Sequence, residues 1–230
     1  MTELLNLELT GVLVTLLAYQ AGALIQKKVK NPACNPILIA VVLVLGFMAL
    51  TGLENRVYQA ANVRLSWLMT PATVCLAIPM YEQVQVLKKN MRAILLSIAA
   101  GAVSCLAVVL LVSLAFRFDR ALTISLLPKS VTSAIGVPLS QLSGGIPSIA
   151  TAAIILTGIV ASVLGPGLCR LFKLEDEISR GVAFGTAGHV IGTAKANELS
   201  PLTGAVSSLS LVVAGLLTAV VFPVVLGFLG

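Results

Sequence analysis

The sequence predicts an all-α protein that crosses the lipid bilayer several times, because its composition is too apolar for a soluble domain. Mean hydropathy is +1.04, and only 10% of the residues are charged, against about a quarter in an average soluble domain. The 230 residues leave room for roughly six to eight spans of about 20 residues. A net charge of +6 fits basic membrane loops. We therefore expect a multi-pass protein of the inner (plasma) membrane and no nucleic-acid partner.

Four apolar runs dominate the first part of the chain, and we interpret residues 1–120 as a four-span scaffold. Charged segments separate these runs, which are Leu9–Gln26, Asn31–Leu53, Leu65–Tyr81 and Ala93–Phe116. The third run contains Pro71 and Pro79. Each proline removes a backbone hydrogen bond, so this span is expected to be broken.

Residues 121–230 alternate two polar segments with two plain spans. The segment 121–141 contains Lys129, two prolines and several hydroxyl residues, and 181–199 contains four glycines, the histidine and an acidic and a basic residue. The runs Ile146–Cys169 and Leu199–Gly230 carry no charge. Backbone that departs from a helix at membrane depth is tolerated only where protein or a water-filled cavity surrounds it. Both polar segments are therefore interpreted as broken helices that form parts of a binding site.

This second part of the chain also reads as an internal repeat. Leu122–Ile135 can be set against Gly181–Ala194 without a gap, which places Ser130 opposite His189. In the spans that follow, Gly158 and Gly215 occupy matching positions. The repeated unit is one broken helix followed by one span.

Loop charges decide whether the broken helices cross the membrane or turn back. If both are re-entrant hairpins, six spans cross and nine basic residues share one face, against four on the other (Arg56, Arg64, Arg117 and Arg120). If both segments cross, six basic residues lie on one face and seven on the other. The positive-inside rule favours the hairpins, with the N-terminus outside. Each repeat then makes one crossing, so the two copies are inverted, as in many secondary transporters.

Lys129 is the residue that points most clearly to a ligand. Placing a cation at membrane depth costs roughly 3 kcal/mol, so such residues usually face a cavity; the alternative is a lysine that snorkels at the membrane boundary. Ser130, Thr132 and Ser133 add hydroxyl donors nearby. Helix ends exposed at a broken tip add unpaired N–H groups and partial positive charge. Together these groups favour a small carboxylate.

His189 is the only histidine, and it is either a packed core residue or a group that binds substrate or carries a proton. Lys195 and Glu198 either belong to the site with Asn197 or form an i, i+3 ion pair that closes a hairpin arm. The remaining candidate lining positions are polar residues at or near helix breaks: Thr186, Thr193, Thr70 and Asn35.

The chain contains the motifs Leu127-Pro-Lys-Ser-Val-Thr132, Gly144-Gly-Ile-Pro147 and Gly185-Thr-Ala-Gly-His-Val-Ile-Gly-Thr-Ala194. They resemble the bacterial LrgB/CidB membrane family and the C-terminal part of the plastid glycolate/glycerate translocator. The resemblance implies two functions and does not choose between them. One is transport of small carboxylates such as pyruvate or glycolate. The other is modulation of murein hydrolases and lysis together with a holin-like LrgA/CidA partner.

From these observations we expect an elevator-like secondary transporter of small monocarboxylates (pyruvate, glycolate or lactate type), with about six transmembrane helices and two re-entrant hairpins. The alternative is a non-transporting modulator of lysis. Neither a catalytic arrangement nor a nucleotide motif is discernible, so we expect no enzyme. The four cysteines are isolated, so we expect no metal and no cofactor. A homodimer is expected by analogy, since a static scaffold usually needs a mate.

Overall fold

The computed structural model describes residues 2–29 and 35–227. Every regular element in these ranges is an α-helix, which confirms the predicted all-α class. Five helical stretches are long and apolar enough to cross a membrane: Leu9–Val29, Val63–Glu82, Val84–Ala115, Pro147–Leu171 and Pro201–Gly227. The apolar helix Pro36–Thr51 is shorter, with 16 residues. The protein is therefore a multi-pass membrane protein. The described ranges leave out residues 1, 30–34 and 228–230, which include Lys30 and the start of the predicted second span with Cys34.

The chain divides into two compact units, the first ending at Cys75 and the second beginning at Leu76. The first contains five helices: α1 (Thr2–Val29), α2 (Pro36–Thr51), α3 (Asn55–Ala61), α4 (Val63–Trp67) and α5 (Met69–Cys75). The second contains seven: α6 (Ala77–Glu82), α7 (Val84–Ala115), α8 (Arg120–Leu126), α9 (Ser133–Leu142), α10 (Pro147–Leu171), α11 (Glu177–Leu199) and α12 (Pro201–Gly227). That residues 1–120 form a static scaffold stays a prediction.

A polar network joins α1 to α3 in the first unit. The Thr15 hydroxyl lies 2.6 Å from the Tyr58 hydroxyl and donates to Asn62 Oδ1 at 2.9 Å. Gly11, one turn earlier on α1, lies directly against the Ala61 side chain. A close approach of two helices through a small residue, with hydrogen bonds beside it, is a common way of holding helices together in membranes.

The predicted break of the third span is present. The run from Val63 to Glu82 consists of three short helices, α4, α5 and α6, separated at Leu68 and Leu76. Each separation lies three residues before a proline, Pro71 or Pro79. A proline ring displaces the carbonyl four residues earlier and offers no N–H to it, so the helix ends there.

Helix α7 starts well before the predicted span. It begins at Val84, not Ala93, and its 32 residues include the exposed side chains of Lys88, Lys89 and Arg92. Leu87 and Ile94 of the same stretch are buried. The helix thus continues past its apolar run because one face still packs on the unit's core. Hydropathy alone predicted too short a helix here.

The first polar segment folds as a re-entrant hairpin, which we call hairpin 1. Its arms are α8 and α9, and its tip is residues 127–132. The backbone N–H of Ile146 donates to Ser125 Oγ at 2.7 Å. In a continuous helix these residues would be about 30 Å apart. The chain therefore turns back at the tip, as predicted.

The second polar segment is also a hairpin, hairpin 2, formed by α11. Its arms are residues 177–188 and 190–199, and they meet at His189, whose φ of 41° and ψ of −135° are not helical. A Cβ atom on Gly192 would lie 2.5 Å from the carbonyl oxygen of Phe184. Residues eight apart in a straight helix are about 12 Å apart, so this chain also turns back.

Contacts with the spans show that the two hairpins have opposite orientations. In hairpin 2, Gly181 faces Val206 and Gly185 faces Ser210, so the first arm runs parallel to α12. The same arm runs antiparallel to α10, because Gly165 faces Phe184 while Ala161 faces Gly188. Helices α10 and α12 are therefore antiparallel. This arrangement matches the inverted hairpin topology and excludes the eight-span alternative, in which these two helices would be parallel.

Both hairpins begin with the same turn. After α7, Arg117 has a φ of 53° and the N–H of Phe118 donates to the Ser113 carbonyl. After α10, Lys173 has a φ of 53° and the N–H of Leu174 donates to the Cys169 carbonyl. This is the Schellman pattern, in which a left-handed residue ends a helix. An aspartate then caps the first arm of each hairpin, Asp119 or Asp176.

Candidate functional site

The tip of hairpin 1 and the end of the first arm of hairpin 2 meet in the second unit at a small cavity of about 10 Å³. Its lining comes from four elements: Leu127, Ser130 and Val131 of hairpin 1, Thr186 of hairpin 2, Ala102, Cys105 and Leu106 of α7, and Ala214 and Thr218 of α12. This volume is about the room that one water molecule needs. We call it the tip cavity.

Lys129 and Ser130 lie side by side on the tip of hairpin 1. The ammonium group donates to Ser130 Oγ at 3.2 Å, and Ser130 is 7% exposed. No carboxylate lies within ion-pair distance of Lys129 in the part of the chain that the structure describes. The half-buried cation therefore has a hydroxyl but no counter-charge beside it.

Helix α9 begins directly after this tip. Its N-cap is Thr132, whose side chain makes no capping hydrogen bond, and Ser133 is its first residue. The first N–H groups of a helix lack intrahelical partners and carry partial positive charge. An uncapped helix start next to Lys129 is a favourable place for an anion.

Hairpin 2 contributes Thr186 to the tip cavity and places His189 against α10. Thr186 lines the tip cavity, and its hydroxyl donates to the Val182 carbonyl at 2.7 Å. The imidazole of His189 is buried, and its Nε2 lies 2.8 Å from the Ile154 carbonyl oxygen of α10. Only Thr186 of these two reaches the tip cavity; His189 instead joins hairpin 2 to α10.

Three glycines, each 57 residues from the next, mark where spans meet hairpins. Cβ atoms built on them would lie 3.2 Å from Thr186 Oγ1 for Gly101, 2.6 Å from His189 Cε1 for Gly158 and 2.9 Å from Ile135 Cδ1 for Gly215. Gly158 faces hairpin 2 and Gly215 faces hairpin 1. The span of each repeat therefore packs against the hairpin of the other repeat.

The other predicted residues of hairpin 2 lie along its second arm. The Thr193 hydroxyl is fully buried, 2.8 Å from that of Ser207. The Asn197 amide donates to the Thr193 carbonyl at 3.0 Å. Lys195 and Glu198 form the i, i+3 ion pair at 2.6 Å, with the Glu198 carboxylate exposed. None of the four lines the tip cavity, and their part in binding stays a prediction.

Asn35 and Thr70 belong to the first unit. Asn35 caps α2 by accepting the N–H of Ile37 at 2.8 Å, while Thr70 is exposed on α5. A structural role accounts for Asn35 without any ligand. Their place in a substrate site stays a prediction.

Sequence reasoning missed the residues that the spans contribute to the tip cavity. Cys105 of α7 donates weakly to the Thr186 carbonyl at 4.0 Å, and Thr218 lies in the second half of α12. A single threonine in an apolar run is a weak signal, because its hydroxyl usually bonds its own helix. No group of three or more potential metal ligands occurs among residues 2–29 and 35–227.

Comparison with known proteins gives a consistent family. Residues 15–228 match the LrgB-like family. Proteins named "Antiholin-like protein LrgB" from Bacillus mycoides (strain KBAB4), Bacillus cereus (strain B4264) and Bacillus anthracis (strain CDC 684 / NRRL 3495) are each 35% identical to this chain over 221 residues. These matches cover 96% of this chain and 96% of each relative. No solved structure matches.

Proposed function

The chain belongs to the LrgB-like family of membrane proteins, and we propose that it is a secondary transporter of small monocarboxylates of the pyruvate, glycolate or lactate type. The observation that carries the proposal is Lys129, a half-buried cation whose described neighbours include no carboxylate. A substrate carboxylate would supply the missing charge. Ser130 and the uncapped start of α9 add donors within a few residues.

The inverted hairpins support transport by alternating access. Because their orientations are opposite, the two hairpins enter the membrane from opposite faces, as in transporters built from inverted repeats with broken helices. With room for about one water, the tip cavity is too small for a three-carbon acid. Binding therefore requires hairpin 1 to separate from hairpin 2 or from its neighbouring spans. Without a nucleotide motif, gradients of substrate or ions would drive the movement.

Lys129→Gln tests the proposal, because glutamine keeps most of the length of the side chain and removes its charge. A hydrogen bond to a charged group contributes about 1.5–3 kcal/mol, so we expect carboxylate affinity to fall at least about tenfold. The measurement is uptake of labelled pyruvate, glycolate and lactate into proteoliposomes that contain this chain alone, together with ligand-induced thermal stabilisation.

Lys89→Gln is the matched control, because Lys89 is an exposed cation on the first turns of α7. It should leave uptake unchanged. Saturable uptake that survives in Lys129→Gln would refute the anion site, and Lys129 would then be a lysine that snorkels to the membrane boundary.

A second candidate function is favoured by the name that the relatives carry, "Antiholin-like protein LrgB". In this alternative the chain does not transport but modulates murein hydrolases and lysis with a small holin-like LrgA/CidA-type partner. Flux or lysis that requires co-reconstitution with such a partner would favour it over a carrier.

The carrier proposal includes a homodimer, which sedimentation of the purified chain tests directly.

A further inference from the structure

Thr218 is a buried polar residue in the second half of α12. Its exposed fraction is 5%, and it lines the tip cavity together with Ser130, Cys105 and Thr186. Among the described residues, no side-chain hydrogen bond joins Thr218 to another group. A threonine inside a helix commonly donates to the carbonyl four residues earlier, which here is Ala214. That bond is absent.

The other buried hydroxyls of α12 all have partners. Ser207 pairs with Thr193, Thr203 pairs with Ser200, and two serines bond their own helix: Ser208 to the Gly204 carbonyl and Ser210 to the Val206 carbonyl. Burying a hydroxyl without a partner is unfavourable. Within the described ranges, Ser113 and Ser140 also have buried hydroxyls without a partner, but neither lines the tip cavity. Thr218 does line it, so its hydroxyl can bond a polar group that enters there.

Thr218 lines two cavities, and their chemistry decides which one can hold a polar partner. One is the tip cavity, whose lining includes Ser130 beside Lys129. The other has a volume of about 40 Å³, and its remaining lining residues are apolar: Ala99, Ala102, Val103, Leu106, Leu217 and Val221. A polar ligand atom is stable only in the first. Thr218 and Lys129 thus approach the same small space, one directly and one through Ser130.

We propose that Thr218 is a specificity-determining residue that hydrogen-bonds the 2-oxo or 2-hydroxyl oxygen of a monocarboxylate held at Lys129. The proposal rests on the transport function above and adds to it. It selects acids with an oxygen on the carbon next to the carboxylate over acids without one. A site built to hydrogen-bond an oxygen rejects the analogue that lacks it, because a buried polar group is then left unpaired.

Thr218→Val tests this assignment, since valine has nearly the shape of threonine without the hydroxyl. Binding of pyruvate, lactate and propionate to the purified full chain is compared, because propionate has three carbons and no second oxygen. The wild-type protein should prefer pyruvate and lactate over propionate by about tenfold or more. Thr218→Val should reduce this preference to about threefold or less while propionate affinity stays the same.

Thr218→Ser is the matched control, because it keeps a hydroxyl and should retain the preference. Thr218→Ala removes the hydroxyl by another route and should behave like valine, with the melting temperature of each variant confirming the fold. An unchanged pyruvate-to-propionate ratio in both hydroxyl-free variants would overturn the assignment and leave the transport proposal standing. A wild-type protein that binds all three acids equally would also overturn it. If the wild type binds none, both proposals fail.

Discussion

His189 holds a backbone conformation that residues with a Cβ atom rarely adopt, and its side chain also joins hairpin 2 to α10. Its φ of 41° and ψ of −135° lie in a region that favours glycine. Such strain costs on the order of 1–3 kcal/mol and persists only where surrounding contacts enforce it. Here the enforcing contacts include the imidazole bond to the Ile154 carbonyl and the packing against Gly158.

This strain predicts an unusual order of stability between two variants. His189→Ala and His189→Gly both lose the imidazole bond, but only alanine keeps the strained Cβ. We expect the glycine variant to be more stable by about 1 kcal/mol, measured as unfolding in detergent or lipid. At Val190, an adjacent position with helical backbone, the usual order should hold, with alanine more stable than glycine. If alanine were more stable than glycine at position 189 as well, the backbone strain at His189 would be contradicted.

Residue chemistry was predictable where a polar group interrupts an apolar run, and less so elsewhere. Lys129, Ser130 and Thr186 stand out in the sequence, and the structure brings the two hydroxyl residues to one cavity. Cys105 and Thr218 do not stand out, because a small polar residue in a span is compatible with ordinary packing. Their place in the lining of the tip cavity depends on which helices surround them, and only the tertiary structure shows this.

At the scale of an element, the start of hairpin 2 depends on Asp176. Its carboxylate accepts the Ser179 hydroxyl at 2.7 Å and the Ser179 N–H at 2.8 Å. The hydrogen bond from the Ser179 side chain, followed by that from its backbone, lowers the pKa of Asp176 below the usual 3.8. Since the folded-state pKa is the lower one, the stabilisation is complete above the unfolded pKa and is lost as pH falls through the folded pKa.

Asp176→Ala should therefore destabilise the protein by about 1 kcal/mol at neutral pH, as loss of an N-cap does. Below about pH 4 the difference from the wild type should shrink, because the wild-type carboxylate becomes protonated. The free energy of unfolding of both proteins, measured from neutral pH to below pH 4, tests this expectation. Glu175→Ala, an adjacent exposed acid outside the capping position, should have little effect. A pH-independent difference would rule out the charged cap.

The elements themselves were predictable to different degrees. Pro71 and Pro79 break the third span as expected, because the loss of a backbone hydrogen bond is a local effect. The turns at Arg117 and Lys173 were not predictable, since such left-handed positions usually hold glycine and these do not. The early start of α7 also escaped prediction, because it depends on burial of Leu87 and Ile94.

At the scale of the whole molecule, the hairpins make a topological prediction that differs sharply from full crossings. Single cysteines at positions 117 and 143, introduced into a cysteine-free background, should both be labelled from one side of the membrane. Cysteines at positions 175 and 198 should both be labelled from the other side. Each pair flanks one hairpin, whose ends lie on the same face. Labelling of the members of a pair from opposite sides would show that the segment crosses.

The inverted arrangement could be inferred from charge alone, because the basic loops are asymmetric only if the hairpins turn back. The contacts between the span of each repeat and the hairpin of the other repeat could not be inferred from the sequence. That Gly158 meets hairpin 2 while Gly215 meets hairpin 1 depends on how the repeats interlock. Spacing in the sequence shows that the two glycines correspond, and it is silent about what each one touches. The division after Cys75 was likewise not predicted.

The spacing of 57 residues between Gly158 and Gly215, which occupy matching positions of the two repeats, bears on how such a molecule can originate. A unit of about this length, one crossing and one hairpin, ends on the side of the membrane opposite to its start. When a gene segment encoding it is duplicated in tandem, the second copy is obliged to insert upside down. One duplication thus produces two hairpins that face opposite compartments, with no separate step needed to invert either. A protein whose hairpins enter the membrane from both faces can therefore descend from an ancestor whose single hairpin entered from only one.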